Sequence, residues 1–472
     1  MTSSFGMPIA LISGLVFGVL LWFMSPLKVV VLIVAMVIGL NLLRRPLLGL
    51  LLFGLIANFL PYSTINVGVR TTVSELLILV IWACVLFQGI FEGTTQARKG
   101  GTTERYVLAL ILFSAFPFVV GQVMVQAQGN GVANWVRWMA NVSLIFLAMR
   151  LLRDEGARES MVQALLFGAL AMLMLSLPVF LAERSAVALN PLLTKLGYAT
   201  LEEVIGDTSG AVFLRMGSPW IHPNTLGGAM ALLLPLAFCY GITRIGWRRL
   251  LGLSVGVTGI IALLLSGSRG ALLSLGVVLI WLAIRRVPYT GRLLMCGIAF
   301  SALLVLSYPP LQDRVIAMFD VSDASTSMRF TEYSNFPRAM ATYPLGIGFK
   351  VEPPVPGTDL HGISNLWLNI VYKLGLPGMF LFIAATWSWW RETRPSGKRT
   401  DLTADNAVWL GTTSGLMAAL FSGIFDHYFS FQPVLVGLFW LMIGLNLLES
   451  RRLRSVTPML SENASPHLSV RH

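Results

Sequence analysis

Charge is scarce in this chain. Only 12% of its 472 residues are Asp, Glu, Lys or Arg, against 56% hydrophobic residues and a mean hydropathy of +0.75. That balance excludes a soluble enzyme carried on one anchor and implies a polytopic membrane protein. Cysteine is nearly absent. Cys84, Cys239 and Cys296 all fall inside apolar runs, which excludes a disulfide framework or a thiolate metal site and leaves them as filler of the core. Strand alternation is missing too: the apolar blocks show no period of two, and backbone in lipid must then satisfy itself as helix, which excludes a β-barrel. Histidines number five, and His222, His361 and His427 lack both a His-x-x-x-His partner and paired carboxylates, so neither a metal nor a cofactor is expected. Acidic residues are the rarer sign, 22 against 34 basic, for a net charge of +12. In a soluble protein that excess suggests nucleic acid; here its distribution assigns it to topology, and no nucleic-acid partner is expected.

What is present is a succession of apolar runs. Spans are predicted at roughly 7–24, 27–43, 46–61, 73–91, 106–122, 134–149, 159–181, 227–243, 250–266, 271–285, 293–308, 363–390, 407–424 and 431–449. The first follows a stretch without the basic region or cleavage site of a signal peptide and is expected to be retained. Basic clusters recur after every second span: Arg44 and Arg45; Arg98, Lys99 and Arg105; Arg150, Arg153 and Arg158; Arg244, Arg248 and Arg249; Arg285, Arg286 and Arg292; Arg391, Arg394, Lys398 and Arg399; Arg451, Arg452 and Arg454. By the positive-inside rule these segments, with both termini, are cytoplasmic. The expected fold is all-α, a polytopic membrane bundle of about 12–14 transmembrane helices with two long external loops, Ala182 to Leu226 and Pro309 to Gly362. Long loops in compact proteins are usually functional, which places the site on the outer face. The polar tail from Ser455 to His472 is expected to lack fixed structure.

The charges that break this pattern carry the chemistry. Leu250 to Ile284 is apolar except for Arg269, and the stretch is too long for one crossing, so Ser266-Gly267-Ser268-Arg269-Gly270 is a turn at a membrane face. Arg269 either snorkels toward head groups or is held inward by its flanking glycines. Arg215 offers a planar donor fork suited to phosphate oxygens; its structural alternative is an ion pair with Glu202, Glu203 or Asp207. The second loop carries Arg329 before Phe330, glycines 346 and 348 at tight turns, and His361, whose imidazole titrates near neutrality and suits a general base. Arg137 and Lys373 lie within spans and Glu75 and Asp426 near span ends, where pairing with one another or with carbonyls is expected. Arginines gathered at a lipid interface beside a base suit a lipid-linked diphosphate donor, since guanidinium charge stabilises the departing diphosphate while the base deprotonates an acceptor hydroxyl.

The chain carries Arg-x-Gly-Ser-Pro-x-x-His-Pro-Asn from Arg215, Ser-Arg-Gly-Ala at 268–271, Arg329 before an aromatic, Pro-Leu-Gly-Ile-Gly at 344–348, and Ser364-Asn365 followed by Gly375-Leu376-Pro377-Gly378. In this order and topology, residues 210 to 390 resemble the O-antigen ligase and polymerase family of bacterial membrane glycosyltransferases. The resemblance implies transfer of a glycan from undecaprenyl diphosphate outside the inner membrane, with Arg215 and Arg269 functional by position. One departure matters. The family commonly has His-Asn eleven residues before the first glycine of Gly-Leu-Pro-Gly, and here that slot reads Ser364-Asn365, with His361 three residues earlier.

The expectation is therefore a metal-independent glycosyltransferase of the bacterial inner membrane that polymerises or transfers lipid-linked glycan units at the outer face in O-antigen or exopolysaccharide assembly, with polymerase ahead of ligase. Catalytic candidates are His361, Arg269 and Arg215; substrate-binding candidates are Arg329, Ser364, Asn365 and Arg137. Expected partners are an undecaprenyl-diphosphate-linked oligosaccharide, a glycan or lipid acceptor, membrane lipids and other polysaccharide assembly proteins. The chain divides into N-terminal helices with the first part of an external loop (1–209), the ligase-like core (210–390, with its large loop 309–362), C-terminal helices (391–450) and a cytoplasmic tail (451–472). The rival is a transporter, either a glycolipid flippase or a small-anion carrier such as one for bicarbonate. Ion-coupled carriers favour acidic groups near the midplane and duplicated halves, and the sequence has neither.

Overall fold

The computed structural model describes residues 39, 41–66, 70–91, 100–125, 129–198, 215–307, 309, 312, 324–350, 360, 362–395 and 399–463. Within them the chain is a helical bundle. It opens with α1 (Pro46–Phe59), a small antiparallel hairpin of β1 (Thr64–Asn66) and β2 (Arg70–Thr72), and α2 (Val73–Phe91). There follow α3 (Thr102–Phe113), α4 (Ala115–Met124), α5 (Gly131–Val142), α6 (Leu144–Leu151), α7 (Glu155–Glu183) and the short α8 (Asn190–Leu193). The second half holds α9 (Pro223–Thr243), α10 (Gly246–Ser266), α11 (Arg269–Ile284), α12 (Thr290–Ser307), α13 (Ala324–Thr342), α14 (Leu366–Thr393), α15 (Ala407–Ser422), α16 (Tyr428–Phe431) and α17 (Pro433–Asn463).

Among the described residues nine helical segments are long and apolar enough to cross a membrane, with α3–α4 and α5–α6 each counting as one, and α1, α11 and α15 are shorter apolar helices. Every predicted span from 46–61 onward coincides with one of these. The span at 7–24 and most of that at 27–43 lie outside the described residues. The two composite spans are interrupted by the same device. Ser114 and Ser143 each turn the hydroxyl back to a carbonyl three residues earlier, and each hydroxyl accepts from an indole N–H, of Trp135 at 2.9 Å and of Trp82 at 2.7 Å. Such back-bonding competes with the helical ladder and bends it.

Burial sorts the helices. α9 and the first half of α17 are apolar all round and form the interior, as such helices must. α12 lies at the edge, and Cys296 on it is exposed, so only Cys84 and Cys239 fill the core as expected of all three. The second long loop contains a helix, α13, where the sequence showed only a polar connection. The C-terminal helix also runs past Ser455 to Asn463; ahead of that stretch Arg451 binds Glu104 and Glu392, fastening the helix to α3 and α14, and Arg452 binds Glu449 within it.

The described members of the basic clusters gather at one end. There Arg244 pairs with Glu159 at 2.9 Å, the buried Arg158 with Glu449, and Arg285 donates to the Pro395 carbonyl at 3.2 Å. At the other end lie the start of α9, the turn between α10 and α11, the start of α14 and the turn after α15.

Candidate functional site

The turn between α10 and α11 comes first, since it carries Arg269. Gly267 ends α10 in the left-handed conformation at φ 59°, and Ser268, in extended conformation, leads into α11, whose first residue is Arg269. The turn packs tightly on α9: a Cβ on Gly227 would stand 2.4 Å from Ser268 Cβ, so glycine there lets the two backbones close. The segment before α9 is fastened to the same turn. Met216 N–H donates to the Leu265 carbonyl at 3.1 Å, and the buried Arg215 donates from Nε to the Ser266 carbonyl and from Nη2 to Asn224 Oδ1, each at 2.7 Å. Asn224 then donates to Asp426 Oδ2 at 3.1 Å. A chain of donors thus runs from Arg215 through Asn224 to Asp426, beyond the end of α15.

A cavity of about 260 Å³ opens against this chain, lined by Asn224, Ser268, Arg269, Arg329, Asp426 and Tyr428. Arg269 and Arg329 supply two guanidinium groups to it. Arg215 stands behind it, holding Asn224. Arg329 arrives on α13, which is clamped to the start of α14: Glu332 accepts from Ser364 N–H at 2.7 Å and from its hydroxyl at 3.1 Å, and Tyr333 donates to the Ser364 carbonyl at 3.3 Å. Asn365 caps α14 by accepting from Trp367 and Leu368 N–H, and its amide donates to the Ile424 carbonyl at 2.9 Å. Ser364 and Asn365, expected to bind substrate, thus line neither this cavity nor the next; they join α13, α14 and the turn after α15.

A second cavity, of about 240 Å³, adjoins it in sequence at Asp426 and His427. It is lined by Asn134, Arg137, Trp138, Phe349, Gly362, Asn369, Lys373, His427 and Gln432 among others. His427 Nδ1 lies 3.4 Å from Asp426 Oδ1. Arg137 pairs with Glu75 at 3.7 Å and Lys373 donates to the Lys350 carbonyl at 3.0 Å, as expected of charges within spans. His361 lies outside the described residues, as do Glu202, Glu203 and Asp207; its neighbour Gly362 lines the second cavity.

The glycine motifs build the joint that sets the N-terminal part of α14. Gly375, at φ 70° and ψ 178°, breaks α14, and Pro377 has no N–H to return to Lys373. The carbonyls so released are taken by the loop: Ile347 N–H donates to Tyr372 O at 2.9 Å and Gly348 N–H to Lys373 O at 3.0 Å. Gly346, at φ 88°, comes so close that a Cβ would stand 2.6 Å from Gly375 N. Pro-Leu-Gly-Ile-Gly and Gly-Leu-Pro-Gly are therefore two halves of one backbone contact.

Residues 254–383 match the family model described as O-antigen ligase. That stretch is similar to an O-antigen ligase domain. That region holds the α10–α11 turn, Arg269, Arg329, the clamp at Ser364 and the α14 joint, and it falls within the core expected at 210–390. No curated relative matches. Nine membrane-length helices among the described residues make this a multi-pass membrane protein, and the similarity to an O-antigen ligase domain supports a membrane enzyme of polysaccharide assembly.

Asp426, His427, Asn224 and His222 were not among the site residues expected. His222 caps α9, its Nδ1 accepting from Asn224 N–H at 3.1 Å. Burial is the main influence on its imidazole and, despite the opposing Asp426 charge, pushes its pKa down to about 4, helped by Arg215, His427 and Arg329. It therefore stays a neutral acceptor at physiological pH. The adjacent Asp-His pair in a short turn between two apolar spans was the signal available for Asp426 and His427.

Proposed function

We propose that the protein is a glycosyltransferase of the bacterial inner membrane that takes a glycan from undecaprenyl diphosphate at the outer face and joins it to an acceptor glycan, acting as a polymerase in O-antigen or exopolysaccharide assembly. One observation carries the reading: Arg269 and Arg329 face a single cavity at the end of the bundle opposite the basic clusters. Two fixed positive charges, with Asn224 between them and Arg215, suit a diphosphate leaving group and stand where a metal ion would otherwise neutralise it. Arg215 orients Asn224 and adds its charge from behind. A histidine takes the proton of the acceptor hydroxyl; His361 is the sequence's candidate, and His427 lines the second cavity. Polymerase is favoured over ligase because Ser364-Asn365 occupies the slot where the family carries His-Asn.

The test is in cells. Replacing Arg269 or Arg329 by alanine should abolish polymer while single-repeat lipid-linked units accumulate, with the protein still present in membranes. Wild-type glycan from both variants would remove the diphosphate assignment. Normal polymer with loss of glycan from lipid A, on deletion of the gene, would make it a ligase.

A further inference from the structure

We propose that the second cavity is the acceptor-sugar subsite and that His427 is the group that takes the acceptor's proton, an inference that rests on the donor reading of the first cavity. Asp426 lines the first cavity and His427 the second, so the two cavities meet at adjacent residues. The ring is oriented between them. Nδ1 faces Asp426 Oδ1 at 3.4 Å, whereas Nε2 lies 3.9 Å from where a Cβ on Gly362 would stand, on the side of the second cavity. Displacement at an anomeric carbon needs the nucleophile and the leaving group on opposite sides of that carbon. Guanidinium groups line one cavity and an imidazole nitrogen faces the other, which supplies that opposition.

The lining of the second cavity suits a sugar. Trp138, Phe349 and Phe431 form a ring cluster with centroids 5.6 to 5.8 Å apart, an apolar face for pyranose C–H groups. Arg137, Lys373 and the Gln432 amide add polar groups, and Gln432 is oriented by Tyr62, which donates to its Oε1 at 2.9 Å. In the reaction the acceptor O–H gives its proton to His427 Nε2 and the oxygen bonds the anomeric carbon. The bond from that carbon to the diphosphate oxygen breaks, its electron pair leaving on the diphosphate opposite Arg269 and Arg329. Asp426 holds the imidazolium that forms and, through Asn224, ties it to Arg215.

Polymer formation is read in membranes carrying the full chain, with His427→Ala, Gly362→Leu, Asp426→Asn and Arg269→Ala compared at equal protein level. Binding of undecaprenyl diphosphate to the detergent-purified variants is read in parallel by thermal shift. His427→Ala should lose roughly 100-fold or more of the rate, the range of a general base, while the thermal shift with undecaprenyl diphosphate persists. Gly362→Leu fills the acceptor space and should raise the acceptor concentration needed for half-maximal rate. That position is not in the left-handed region, and its Cβ would meet Asn369 Oδ1 only at 3.4 Å, so the fold tolerates a side chain. A His427→Ala rate within threefold of wild type, or full loss in His361→Ala beside a normal His427→Ala, overturns the assignment. If Arg269→Ala keeps both its rate and its thermal shift, the donor reading fails instead; His427→Ala alone cannot produce that pattern.

Discussion

A guanidinium and an ammonium carry the same charge but not the same fork, and Arg215 uses the fork. Its Nε and Nη2 serve the Ser266 carbonyl and Asn224 together, each at 2.7 Å, whereas a lysine reaches one of them. Losing one buried charge-assisted hydrogen bond costs about 1.5–3 kcal/mol. Arg215→Lys should therefore retain the charge yet lower the polymerisation rate by roughly 10-fold or more, by freeing Asn224 from the cavity wall. An unchanged rate would mean that charge alone matters at this position. His222 yields a prediction of a different kind. Its folded pKa, about 4, lies below the ordinary 6.5, so between those values the unfolded chain binds a proton that the folded one does not. Stability is full above pH 6.5 and falls as the pH drops toward 4. The melting temperature of the detergent-purified protein should decline over that window, and His222→Asn, which preserves a capping acceptor, should flatten the decline; equal slopes for both proteins would refute it.

At the scale of elements, the α14 joint is where backbone conformation and function meet. Gly375 sits at φ 70° with Leu345 carbonyl carbon 2.7 Å from where its Cβ would be. Alanine there is both strained and crowded, at a cost on the order of 1–3 kcal/mol for the conformation alone. Gly375→Ala should lower the melting temperature, and Gly276→Ala on α11, with open space around it, should not. Similar melting of the two variants would argue against the joint. The sequence made the helices legible because hydropathy reports lipid contact directly, and each predicted span from 46 onward is a helix. α13 was not legible: its residues, Ser327-Met328-Arg329-Phe330 onward, are polar enough to read as loop, and it is held by Glu332 and Tyr333 on Ser364 together with a short apolar patch of Phe336, Ala339 and Met340. The arginines stood out as charges against apolar neighbours. Asp426 stood out only as a charge near a span end expected to pair, and His427 not at all, since a turn with polar residues is unremarkable until its partner is known, and that partner, Asn224, is 202 residues away.

The whole molecule has two chemically different ends, and its orientation follows from which end repels the outside. One end carries Arg244, Arg158, Arg285 and Arg451 in pairs with Glu159, Glu449, the Pro395 carbonyl and Glu104; the other carries the two cavities. Basic segments are retained on the cytoplasmic side during insertion, so the cavities should face outward. The prediction can be read by cysteine labelling in a background where Cys84, Cys239 and Cys296 are serine. Ser327→Cys on α13 and Arg399→Cys in the turn before α15 are both at exposed positions at opposite ends. A membrane-impermeant maleimide added to intact inner-membrane spheroplasts should label the first and reach the second only after permeabilisation. The reverse pattern would place the cavities in the cytoplasm, where a lipid-linked glycan that has already crossed the membrane could not enter them, and the outer-face transferase reading would fall with it.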